Sequence, residues 1–288
     1  MITKYLSPRN DKAFKRIFGE EKNSEILIDF LNEIVEREYP IKSVKFLKTA
    51  QDPELASLRT SIVDVMCEDQ NKNRFIIEMQ LGREKKFHKR ALYYAAKAYC
   101  GQRTSKVDYK DLGEVYFLAI TGFSPFKKKK HWLSRIGLKD LHTNEHDIKS
   151  LQLLFMQLPK FKKKKADLPN MSRKEKWAYF LKYAEDMTQE EVAKHLASDP
   201  IIEHAYKELD RFNWSEAELL EYEAVEMKQA ADRAVEEGNI EKGHKEGLKE
   251  GEKKKAAEIA LNLLKISLPI EEIVKATGLR LENSKLSD

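Results

Sequence analysis

Cysteine is nearly missing from this 288-residue chain: Cys67 and Cys100 stand far apart, with no CxxC arrangement. That excludes a disulfide framework and a cysteine-based zinc site, and makes a reducing compartment the default. No apolar run approaches the ~20 residues that a bilayer-spanning helix needs, so no membrane association is expected. The opening Met1-Ile2-Thr3-Lys4-Tyr5-Leu6 lacks the apolar core of a signal peptide, and a cytoplasmic protein is expected. The seven histidines are scattered and never paired as a metal motif. Neither sign of charge dominates: 53 basic residues face 48 acidic ones, for a net +5. That balance permits a nucleic-acid partner without arguing for one.

What is present suffices for one sizeable core. Hydrophobic residues make up 41% of the chain, and charged residues 35%, a share that points to long exposed helices. Between Asp11 and Val35, apolar residues at spacings of three and four predict two amphipathic helices, broken near Gly19. Ser43 to Leu47 alternates weakly, as a strand would. The runs Ile62–Cys67 and Arg74–Gln80 are β-rich and joined by the polar Asp69-Gln70-Asn71-Lys72-Asn73, a hairpin signal. Helical periodicity follows from Glu84 to Gln102, then continuous apolar runs at Val115–Ile120 and Leu151–Leu158 that read as buried strands. A strand–helix–strand passage is a crossover, so the sheet should be mixed. From there the chain turns helical: Ser172–Met187, Gln189–Ala197 and Ile201–Phe212, with Ser172, Thr188 and Asp199 as N-caps. A long charged helix starts at Ser215, and a boundary is expected near residue 214.

Two acidic residues interrupt otherwise apolar strands: Asp64 and Glu78. Burying a carboxylate costs several kcal/mol unless something compensates. Glu78 and Gln80, two apart, share one face of their strand. If the hairpin turns about Asn71 with an odd number of loop residues, Asp64 lies opposite Glu78, with Cβ atoms roughly 5 Å apart. Like charges so placed repel unless a cation lies between them, and a hard divalent ion with oxygen ligands, Mg²⁺ above all, resolves the conflict. Such an ion suits phosphodiester hydrolysis, and the Gln80 amide could hold a water or a phosphate.

Asp64 followed by Glu78-Met79-Gln80 resembles the PD-(D/E)xK nuclease signature with its final lysine replaced by glutamine. Four further stretches are similar to one branch, the recombination-promoting nuclease / PD-(D/E)xK nuclease family transposase group. They are Asn10-Asp11-Lys12-Ala13-Phe14-Lys15-Arg16-Ile17-Phe18-Gly19, Ile76-Ile77-Glu78-Met79-Gln80, Arg90-Ala91-Leu92-Tyr93-Tyr94 and Leu158-Pro159-Lys160-Phe161. The resemblance implies an α/β fold, a restriction-endonuclease-like mixed sheet core of αβββαβ type flanked by helices, with a C-terminal all-helical region. It also implies Mg²⁺-dependent (or Mn²⁺-dependent) cleavage of DNA with Asp64 and Glu78 as metal ligands. Asp11 and Lys15, four apart on the first helix, would look toward the site. A non-catalytic DNA-binding or regulatory module on the same fold is the alternative.

Basic clusters surround the expected core: Lys127–Lys130, Lys162–Lys165, and Arg83 with Lys85, Lys86, Lys89 and Arg90. Contacts of this kind bind phosphate without reading sequence, and Lys85, Lys86, Arg90 and Tyr94 are the expected DNA-binding residues. In the 215–288 tail, Gly243, Gly247 and Gly251 recur every four residues. That stripe reads either as a self-association seam, making a homo-oligomer through the C-terminal helices, or as a place where the helix frays, since glycine costs about 1 kcal/mol per helical position.

Overall fold

The computed structural model describes residues 3–51, 61–103, 107–196 and 198–279. The two apolar stripes at the start form α1 (Asp11–Phe18) and α2 (Ser24–Val35). Asn10 caps α1 by accepting the Lys12 amide at 2.9 Å. The break falls at Gly19, where a Cβ would meet the Lys15 carbonyl oxygen at 2.8 Å, so only glycine fits so close to the preceding turn.

Six strands form one mixed sheet, with a short two-stranded ladder beside it. In chain order they are β1 (Val44–Phe46), β2 (Ala50–Gln51), β3 (Ser61–Ile62), β4 (Val65–Asp69), β5 (Arg74–Gln80), β6 (Val115–Thr121), β7 (Leu133–Gly137) and β8 (Leu151–Gln157). The spatial order of the large sheet is β1-β4-β5-β6-β8-β7, and β2 pairs with β3. β5, β6 and β8 run parallel, as their crossovers demand, whereas β1, β4 and β7 are antiparallel to their neighbours. The edge strand β7 is an addition to the expected core.

Alternation along the strands feeds two cores. Phe75, Ile77 and Met79 face the α1/α2 side, where Phe30 packs tilted against Phe18 and edge-to-face with Trp177. Ile76, Phe117 and Phe155 face the other side, covered by α3 (Phe87–Cys100) through Phe87, Ala91, Ala95 and Ala98. The alanines on α3 allow the helix to lie close to the sheet. By the same period of two, Glu78 and Gln80 belong to the α3 face.

The remaining helices follow the expected spacing. α4 (Arg173–Tyr183) starts with a capping box between Ser172 and Glu175. α5 (Gln189–Leu196) follows Thr188, whose hydroxyl accepts the Glu191 amide; Ala197, the expected end of this helix, lies outside the described residues. Asp199 does not cap α6 (Pro200–Leu209), because its carboxylate turns instead to Lys176 and Arg173. α7 (Glu216–Lys265) and α8 (Ile270–Thr277) complete the chain. The described chain divides into one unit of residues 1–228 and another of 229–288. α7 therefore begins in the first unit, where Tyr222 donates its ring edge to Trp214 and accepts the Ser7 amide at 3.0 Å. In the second unit α7 stays helical through Gly238, Gly243, Gly247 and Gly251, whose Cβ positions meet nothing within 4 Å. Among the described residues, no helix is long and apolar enough to cross a membrane.

Candidate active site

The β4–β5 hairpin carries the two acidic residues singled out above. Its last pair, Glu68↔Arg74, closes a five-residue connection centred on Asn71, so the hairpin is of the odd-loop kind. Running the ladder the other way, Val65 pairs with Ile77, and the next position sets Asp64 across from Glu78. The Asp64 charge is felt at Glu78, where it raises the pKa of that carboxyl.

The manner in which Asp64 gets there is not a plain strand. Between the pairs Phe46↔Cys67 and Ala50↔Ile62, one chain advances four residues while the other advances five. The stretch around Val63 and Asp64 therefore carries one extra residue, a bulge, and the run expected as a continuous strand is split into β3 and β4 there. Bulges re-aim side chains and loosen the ladder locally. Here the Asp64 carboxylate turns across to accept the Met79 backbone amide at 2.8 Å.

Both carboxyls sit in surroundings that disfavour their charge. Burial pushes the Asp64 pKa up, against the pull of the Met79 amide, and the negative charge of Asp11 pushes it further. Glu78 is only 8% exposed. Burial foremost, then the neighbouring Asp64 charge, lifts its pKa from an ordinary 4.5 to about 8, with the Arg90 guanidinium pulling the other way. One Glu78 oxygen, Oε1, accepts Arg90 Nη2 at 3.0 Å; the other, Oε2, is buried with no hydrogen-bond partner. A buried carboxylate oxygen left bare costs about 1–3 kcal/mol or more, so it marks the place where a ligand would bring a gain.

Asp11 and Lys15 stand on the exposed face of α1 and lie within electrostatic range of Asp64, the first raising its pKa and the second lowering it. The expectation that this face looks toward the site agrees with that field. Gln80 is held at both ends of its amide: Oε1 accepts Arg90 Nη2 at 2.6 Å and Nε2 donates to the Gly82 carbonyl at 3.0 Å.

Arg90 was expected as a DNA contact, and the structure puts it among the acids. Its Nη1 pairs with Glu84, and its guanidinium lies over the rings of Phe87 (4.9 Å) and Tyr94 (5.8 Å). Tyr94, half-buried, has its pKa raised chiefly by burial. Lys85 and Lys86 are exposed in the turn that leads into α3. Of the lysine run at 162–165, Lys163 is paired with Glu175 (2.7 Å) and Lys165 with Glu191 (2.8 Å), so half of it is already neutralised within the protein. Glu84 and Gly82 were not foreseen; neither sits in a periodic pattern, and no sequence signal distinguishes them.

The donor set is one of carboxylate oxygens, the kind of ligand a hard divalent cation takes. Asp64 and Glu78 supply carboxylate oxygens, and one of these is bare. Among the described residues no group of three or more His, Cys, Asp or Glu side chains could hold a metal ion. Mg²⁺, by contrast, is commonly held by one or two carboxylates, with water and substrate phosphate completing its shell.

A cleft of about 740 Å³ lies elsewhere, beside Arg37, Tyr116, Arg135 and Gln152, at the end of the parallel strands away from Glu78. It is large but has none of the carboxylate pairing described above.

A family model described as PD-(D/E)XK nuclease family transposase matches residues 8–237, a span that includes every residue of the site. No curated protein and no solved structure matches the chain.

Proposed function

Because the chain belongs to the PD-(D/E)XK nuclease family transposases, we propose that it is a divalent-metal-dependent DNA endonuclease of low sequence preference, with Asp64 and Glu78 holding Mg²⁺ or Mn²⁺. The observation that carries this reading is the buried Glu78 carboxyl, one oxygen bare, set across the hairpin from Asp64. A divalent cation in that place supplies Lewis acidity at a phosphoryl oxygen and favours ionisation of a water nucleophile.

The chain's own residues do the rest. The Met79 amide fixes the Asp64 carboxylate, so its second oxygen is aimed without side-chain search. Arg90 holds one Glu78 oxygen and leaves the other open. Asp11 adds negative potential from α1, which favours cation capture, and Lys15 limits the repulsion among the three acids. Lys85 and Lys86 are exposed cations at the head of α3, suited to backbone phosphates, and Tyr94 lies against the Arg90 guanidinium further along the same helix. Phosphate contacts of this kind carry no base readout, which supports low sequence preference. In the tail, Leu248, Ile259, Leu261 and Leu264 are 42–61% exposed. Exposed apolar side chains of that size, next to the glycine stripe, support a homo-oligomer through the C-terminal helices, the 215–288 region acting as its partner surface.

One observation favours a second reading, a DNA-binding module without catalysis: Glu78 and Gln80 are both engaged by Arg90. That reading predicts DNA binding in EDTA that Asp64→Asn leaves unchanged. The experiment is plasmid cleavage with Mg²⁺ or Mn²⁺, wild type beside Asp64→Asn. Metal-dependent nicking or linearisation by the wild type alone supports the nuclease. Intact plasmid with both metals rules it out.

A further inference from the structure

A glutamine at position 80 brings no positive charge to the strand that carries Glu78, and the structure supplies one from the next helix. We propose that Arg90 is the phosphate-directed cation of this active site and that Gln80 is the residue that positions it. The inference rests on the nuclease reading above and assigns to two of its residues roles different from those their types suggest.

Three observations carry it. First, the guanidinium is immobilised to a degree that a surface phosphate contact does not need. Nη2 donates to Glu78 at 3.0 Å and to Gln80 at 2.6 Å, Nη1 pairs with Glu84, and the rings of Phe87 and Tyr94 lie against it. A planar fork held on such a surround keeps its orientation when a ligand arrives, which is where arginine differs from lysine. Preorganised charge of this kind acts on a developing anion without reorganising first.

Second, both amide atoms of Gln80 are engaged. Its carbonyl oxygen takes Arg90 and its amide nitrogen takes the Gly82 carbonyl. Both contacts give it an anchoring role toward Arg90. A lysine in its place would lose the acceptor and repel the guanidinium, so glutamine at 80 and arginine at 90 make sense as a pair.

Third, Arg90 is not closed off. Its side chain is 29% exposed, in the first turn of α3, near in sequence to the exposed Lys85, Lys86 and Lys89. A guanidinium has five N–H donors; the named contacts use both on Nη2 and one on Nη1, and the Nε is buried. What is left for a ligand is the second N–H of Nη1, which suits a phosphate oxygen of a strand that approaches the two carboxylates.

The test uses the full chain, supercoiled plasmid and Mn²⁺, with Mn²⁺ binding in the absence of DNA followed separately by electron paramagnetic resonance. Arg90→Gln should bind Mn²⁺ within about threefold of wild type and melt normally, yet cleave about a hundredfold more slowly in kcat. Gln80→Lys combined with Arg90→Gln should regain at least about tenfold of that loss, because the cation is then carried by the strand itself. Should the double variant fail to fold, Arg90→Lys takes its place, and it should cleave about tenfold faster than Arg90→Gln. The proposal is overturned if Arg90→Gln cleaves like wild type, if it loses Mn²⁺ binding or stability along with activity, or if neither charge-restoring variant recovers anything. An inert wild type sinks the nuclease reading and this inference with it, whereas an active wild type with an indifferent Arg90→Gln sinks this inference alone.

Discussion

The two ends of the β4–β5 hairpin both hold a buried or half-buried aspartate, and they use it in opposite ways. At the closed end, Asp69 is saturated. Its Oδ1 accepts the amides of Asn71 and Asn73, both at 2.8 Å, and its Oδ2 accepts Asn73 Nδ2 at 3.0 Å and Arg37 Nη1 at 2.6 Å. Asn73 in turn accepts the Glu114 amide, tying the turn to the strand that follows α3. At the open end, Asp64 has the Met79 amide, and Glu78 keeps one oxygen bare and a pKa near 8. The chain shows by Asp69 that it can satisfy a buried carboxylate completely with its own donors. What distinguishes a site from a turn is that the donors are withheld, so that a ligand must bring the compensation.

That contrast breaks most readily through substitution at each end. Asp64→Asn keeps an acceptor for the Met79 amide and removes the charge; DNA cleavage should fall by about a thousandfold or more, while the melting temperature stays level or rises because two repelling carboxyls become one. A drop in melting temperature as large as the one at the closed end would erase the distinction. Asp69→Ala should do the reverse. It strands Arg37 and two backbone amides in the interior, and urea unfolding should show a loss of about 3 kcal/mol or more, with Mn²⁺ affinity of the folded fraction unchanged.

A smaller effect follows from pH. Glu78 has its folded-state pKa raised, from 4.5 to about 8. Through that window the folded chain keeps a proton that the unfolded chain releases, so stability without metal should fall as pH rises from about 5 to 8. Glu78→Gln should flatten the trend in melts run with a chelator, and a trend unchanged by that substitution would assign it to other groups. The smallest effect concerns which lysines meet DNA. Lys85→Ala and Lys86→Ala should each lower the salt dependence of DNA binding by a slope of about 1, whereas Lys163→Ala should leave it alone, its charge being spent on Glu175.

The register of the β4–β5 hairpin was legible in the residues because it needs only local information: alternation in two short strands and a polar turn centred on Asn71. The helices were legible for the same reason, as was the Ser172 cap, whose partner Glu175 is three residues away. What escaped depends on groups distant in sequence. The bulge at Val63–Asp64 exists because the 61–69 stretch must pair with two segments, 44–46 and 50–51, whose registers differ by one. The Arg90 contacts require α3 to be laid on the sheet before Glu78 and Gln80 come within reach. Likewise Lys163 and Lys165 looked like half of a free basic run until α4 and α5 brought Glu175 and Glu191 to them. The strand Leu133–Gly137 shows too little alternation in its five residues to announce itself and forms because β8 offers an open edge.

Calorimetric titration of the metal-free chain with Mn²⁺ at pH 7, run in two buffers of different ionisation enthalpy, addresses the carboxylate pair most directly. At that pH a Glu78 with a pKa near 8 carries its proton, so binding should eject about one proton per ion and the apparent heat should differ between the buffers; Asp64→Asn should abolish the binding. Heats that are the same in both buffers, or an affinity that survives Asp64→Asn, would contradict the account.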